Sequence, residues 1–162
     1  MRDSLVLKKI HPTDKRVLDS VLKIYHGAKV EKDKIIQLVF LSENLNGEKL
    51  WPAYNSLAYA ALQKMKLTSG LAAEENIFLK TKEAACLNNF GIVENQYGNR
   101  KKALEFFSAS VKLKEELNDK KALADALTNL AGLLNDMGQQ QQALDMYARC
   151  LKLTAETGDK KF

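Results

Sequence analysis

A shift of 40 residues lays positions 87–122 onto 127–162, and the pairs it matches include Leu87/Leu127, Asn89/Asn129, Gly98/Gly138, Ala103/Ala143, Leu104/Leu144, Lys112/Lys152, Leu113/Leu153, Glu116/Glu156 and Asp119/Asp159. A chain that repeats at a period of this size builds one supersecondary unit more than once and buries its apolar surface by stacking neighbours. Apolar residues recur three and four apart and no strand-like alternation is sustained, so the unit is helical. Helices are predicted over 14–26, 32–45, 52–66, 74 or 80–97, 100–117, 120–137 and 140–156, with breaks at Gly27, Asn46-Gly47, Thr68-Ser69-Gly70, Gly98-Asn99, Asn118-Asp119 and Gly138. Pro52 is expected in a first helical turn, where its missing N–H leaves no bond unmade.

Each copy carries a large apolar residue, an apolar-small pair, a glycine, then alanine with an aromatic four residues on: Leu87, Phe90-Gly91, Gly98, Ala103, Phe107, and again Leu127, Leu130-Ala131, Gly138, Ala143, Tyr147. This pattern resembles the tetratricopeptide repeat in a 40-residue form. The resemblance implies an all-α right-handed superhelix of antiparallel helix pairs, a tetratricopeptide-like α-solenoid. Gly91 or Ala131 is then expected to face Ala103 or Ala143 where two helices approach, with Phe107 or Tyr147 filling the space beside them. Gly98 and Gly138 are expected to end helices in left-handed caps, and Ser110 and Cys150 to occupy the next small position.

The expected organisation is a basic helical arm over 1–31, a divergent helix pair with an insertion over 32–79, repeats over 80–118 and 119–157, and the opening of a further repeat at 158–162. The inserted residues fall within Leu67–Leu79, as a loop or as extra turns on the helix before Ala84. Gly158-Asp159-Lys160-Lys161 matches Asn118-Asp119-Lys120-Lys121 and then the sequence stops, so the apolar face of helix 140–156, with Leu144, Tyr147 and Leu151, is expected to be uncovered. A fragment of a longer protein, or a homo-oligomer through this helix, accounts for that face. More widely the chain resembles the sensor or scaffold portion of bacterial tetratricopeptide signalling proteins. Nothing in it resembles a kinase, so no activity carries over.

The net charge is +5, and residues 1–34 hold most of it with nine Lys/Arg against five Asp/Glu. Acids and apolar helix positions interrupt these basic residues, which form no stripe with interleaved aromatics, so nucleic acid is not an expected partner. No run of apolar residues suits a membrane span, and membrane contact by this chain is not expected. Cytoplasm, or periplasm for a sensor fragment without its leader, are both compatible with the sequence. Cys86 and Cys150 lack metal or disulfide-framework spacing and read as small packing residues. His11 and His26 have no carboxylate at ligand spacing, and no cofactor or metal site is expected. The reading is of a non-catalytic chain.

In repeats of this family the first helix of each pair lines the concave surface. The residues of those helices that do not point into the core are Asn88, Asn89, Asn95 and Gln96, then Asp125, Thr128, Asn129, Asn135 and Asp136. A primary amide both donates and accepts, so Asn89 and Asn129 can each hold the N–H and C=O of an extended peptide. Members of the family use asparagine at the matching position in this way. The same amides can instead bond neighbouring helices and set the pitch of the stack. A clamp for carboxylate tails needs Lys and Arg on this face, and here those positions hold Asn, Asp and Thr. Phe106, Phe107, Met146 and Tyr147 are expected in the core, Gln139–Gln142 at a solvated helix start, and Lys112–Glu116 on an exposed charged face.

Overall fold

The computed structural model describes residues 12–45, 50–67 and 70–158, and every regular element among them is an α-helix. The chain divides into two compact units, 1–69 and 70–162. Gly47, His11 and the stretch 159–162 lie outside the described residues.

In the first unit, α1 spans Pro12–Gly27, with Asp14 in its first turn, where an acid suits the helix dipole, and His26 in its last. The helices that follow are α2, Glu31–Asn44, and α3, Leu50–Lys66. Pro52 lies in the first turn of α3, which begins slightly earlier than the proline signal predicts. Leu18 and Val21 of α1 pack with Leu41 and Leu45, and Leu50, Trp51 and Tyr54 close this core. Ile35, Leu38 and Val39 of α2 and Ala58 and Leu62 of α3 are buried as well.

The second unit contains α4, Ala73–Gln96, α5, Arg100–Glu116, α6, Lys120–Asp136, and α7, Gln140–Thr157. The 24-residue α4 begins upstream of the repeat proper, so residues 73–79 form extra turns of this helix. Its start is tied by the backbone N–H of Ala72, which donates to Glu75 Oε2 at 3.0 Å.

Three turns join these helices, and all are built alike. Gly98, Asn118 and Gly138 adopt left-handed φ values of 78°, 52° and 77°. In each turn the left-handed residue donates its N–H three residues back and the next residue donates five back: Gly98 to Asn95 O and Asn99 to Glu94 O, Asn118 to Glu115 O and Asp119 to Lys114 O, Gly138 to Asn135 O and Gln139 to Leu134 O. These paired bonds satisfy helix-end carbonyls and reverse the chain in a few residues, so consecutive helices run antiparallel.

One core joins α5, α6 and α7: Ala103, Phe107 and Val111 pack with Leu123, Leu127, Leu130 and Leu134, and with Ala143 and Cys150. Phe107 lies directly over Gly91. A Cβ at that glycine would stand 2.6 Å from the ring carbons Cδ1 and Cε1. The aromatic therefore occupies the space that the glycine leaves, more intimately than a filler beside two small residues.

The second copy departs from that expectation. Tyr147 is 39% exposed and is not a core residue. Ala131 has a methyl group where Gly91 has none, and a phenolic hydroxyl is costly to bury without a partner, so the ring lies outward with its hydroxyl near Gly132. Phe106 and Met146 are half-buried, Phe106 against Phe90 with ring centroids 5.4 Å apart. Both cysteines are buried and neither forms a disulfide.

Candidate interaction face

The core side of α6 is occupied by Leu123, Ala124, Ala126, Leu127, Leu130, Ala131, Leu133 and Leu134. At about 100° per residue, the opposite side presents Lys121, Asp125, Thr128, Gly132, Asn135 and Asp136, with Asn129 at its border. Asp125, Asn135 and Asp136 are exposed and Asn129 is half-buried. On α4, Asn88, Asn89 and Asn95 are half-buried and Gln96 is exposed.

The first helices of the two repeats meet at an amide pair. Asn129 donates from Nδ2 to Asn88 Oδ1 at 2.9 Å. The positions that the 40-residue shift makes equivalent are Asn89 and Asn129, so the bridge joins non-equivalent positions of neighbouring repeats, which sequence comparison does not reveal. Asn95, Gln96, Asn135 and Asp136 stand at the C-terminal ends of α4 and α6, roughly 10 Å along the helices from the pair.

Thr128 is committed differently from the other expected site residues. Its hydroxyl donates to Ala124 O at 3.0 Å and lies 3.3 Å from Cys150 Sγ, which ties it to its own helix and to α7.

Polar contacts that recur with the repeat hold the face in place. Ser110 Oγ donates to Ala84 O at 2.7 Å, and Cys150 Sγ reaches Ala124 O at 3.4 Å, one repeat later. Lys80 Nζ donates to Glu116 Oε2 at 2.8 Å and Lys120 Nζ to Glu156 Oε2 at 2.9 Å. Lys80, two turns into α4, and Lys120, at the start of α6, are thereby each fastened to the end of the following helix. Glu116 is held below its ordinary value of 4.5 by the Lys80 hydrogen bond and charge, with Lys112 adding to the effect. Glu156 is lowered in the same way by Lys120 and Lys152. Arg149 also pairs with Glu115, linking α7 to α5. The recurrence of Lys80 at Lys120 and of Glu116 at Glu156 was the available signal for this ladder.

Among the described residues no group of three His, Cys, Asp or Glu is arranged to hold a metal, and no helix is long and apolar enough to cross a membrane. Asn118 shares with the glycines a left-handed turn, and the stacked pairs α4–α5 and α6–α7 share side-chain bonds at matching positions. These features define a helical-repeat protein. Residues 80–156 match the family model of the tetratricopeptide repeat, and this part of the chain is assigned to that family. Its members generally mediate protein–protein interaction without catalysis. Comparison with curated proteins and with solved structures gives no match.

Proposed function

We propose that this chain is a peptide-binding module whose ligand lies along the amide-rich face of α4 and α6, and that it serves as the sensory or scaffolding part of a larger bacterial signalling protein. The Asn88–Asn129 bridge carries the reading. It uses one N–H of Asn129 and one acceptor site of Asn88. A primary amide has two N–H donors and a carbonyl oxygen, so the bridged pair retains Asn129 Oδ1 as acceptor and Asn88 Nδ2 as donor.

A peptide unit presents the complementary set, an N–H and a C=O. Two side chains already fixed by their mutual bond grip backbone with little further loss of rotamer freedom. Asn89, Asn95, Gln96 and Asn135 extend the same chemistry along the helices. Asp125 and Asp136 favour a ligand with an N-terminal amine or a Lys or Arg side chain. Thr128, held by Ala124 and Cys150, contributes to the wall of the face.

The test is selection from a random peptide library with the wild-type chain and the Asn88→Ala/Asn129→Ala variant side by side. Peptides enriched by the wild type and bound at least tenfold more weakly by the variant, at equal helical content, support the reading. Equal affinity in the two proteins, or a variant that is destabilised while it binds as before, would assign the amides to packing alone.

A further inference from the structure

On α7, Leu144, Tyr147 and Leu151 are 61%, 39% and 54% exposed. At about 100° per residue they fall on one stripe with Ala148 and Ala155, which are also exposed, and no charged residue interrupts it. The equivalent residues one repeat earlier are treated in the opposite way. Phe107 and Val111 are 3% and 7% exposed and, with Leu104, are packed in the core that Leu123, Leu127 and Leu130 of α6 complete. The same surface is thus covered by a leucine-bearing helix on α5 and is open on α7.

Two differences between α5 and α7 indicate what kind of helix fits. Glu115 holds Arg149 of the following repeat, whereas the residue 40 positions later is Ala155. The α7 face has lost the acid by which a following repeat of this pattern would be fastened, and a small apolar residue stands there instead. Along one edge of the stripe lie Asp145 and Lys152, both exposed, seven residues apart. Opposite charges at that spacing on one edge match themselves when a second copy of the helix is laid antiparallel: each Asp145 meets Lys152 of the other copy, twice about a twofold axis near Ala148.

We propose that α7 is a self-association surface, through which two copies of this chain pair antiparallel with Leu144, Tyr147 and Leu151 interleaved and Asp145 set against Lys152 of the second copy. The stripe adjoins the polar side of α6, where the Tyr147 hydroxyl lies near Gly132, but it includes none of the amides of that side. Its contact is a single helix pair, so association is reversible and depends on concentration.

Light scattering and equilibrium sedimentation of the 162-residue chain over a wide concentration range supply the test. The expected result is a monomer–dimer equilibrium that Leu144→Glu and Leu151→Glu each shift at least tenfold toward monomer without loss of helical circular dichroism. Asp145→Lys should weaken the dimer, and Asp145→Lys/Lys152→Asp should restore it. Ala148→Cys should form an intermolecular disulfide under mild oxidation. A monomer at every concentration, a dimer indifferent to both leucine variants, or leucine-sensitive association that the charge exchange does not restore would overturn the proposal. The last outcome would assign the stripe to a helix of another protein or of a further repeat.

Discussion

Gly91 and Ser110 show how single residues set the distance between α4 and α5. In Gly91→Ala the new methyl would meet the Phe107 ring at 2.6 Å, and that ring is too deeply packed to move without disturbing its neighbours. Overpacking of this kind costs about 1–3 kcal/mol, against which alanine's better helix propensity returns no more than about 1 kcal/mol. A net loss of stability is therefore expected, read as a lower denaturant midpoint, and Phe107→Leu in the same chain should recover part of it. The second repeat displays the alternative solution, with a methyl at Ala131 and an outward aromatic at Tyr147. Ser110→Ala removes a buried 2.7 Å bond to Ala84 O, and a destabilisation of about 1–2 kcal/mol is expected. Ser110→Cys should retain part of the stability, since Cys150 makes the matching contact one repeat later.

The elements owe their boundaries to left-handed turns. Asn118 performs at φ 52° the task that Gly98 and Gly138 perform near 78°. Asparagine tolerates this conformation and glycine adopts it without a Cβ penalty, so Asn118→Gly should raise the melting temperature, with a gain of a few tenths to about 1 kcal/mol. Gly138→Ala should do the reverse by about 1 kcal/mol even though open space surrounds the site, because the strain lies in the backbone. These boundaries were legible because left-handed residues and the 3.6-residue period are local properties of the chain. The start of α4 at Ala73 was less legible: residues 73–79 suit a loop or a helix, and although Glu75 bonds back to the Ala72 N–H as a capping-box residue does, the N-cap itself is alanine and not Ser, Thr, Asp or Asn.

For the molecule as a whole, the Lys–Glu ladder gives the second unit a pH dependence of predictable sign. Glu116 and Glu156 bind protons less readily folded than unfolded, since Lys80 and Lys120 favour the carboxylates. Their contribution is complete above the unfolded value near 4.5 and is lost as the pH falls through the lowered folded values. Stability measured by thermal melting should therefore decline on acidification through that range, and Lys80→Ala/Lys120→Ala should flatten the decline. The pairs are exposed, so added salt should shrink the effect.

The amides on which the proposed face rests were legible in the sequence as residue types on one side of two helices. Their central contact was not, because Asn88 and Asn129 meet across a boundary between repeats and are 41 positions apart. By itself the sequence determined the helices, their turns and the 40-residue unit, all of which follow from periodicity and backbone preference over short distances. Only the tertiary structure decided that Phe107 covers Gly91 while Tyr147 turns outward, that Thr128 is held by Cys150, and that two amides bridge neighbouring repeats. Those outcomes depend on which atoms occupy a shared volume once distant segments pack, and no local pattern encodes that competition.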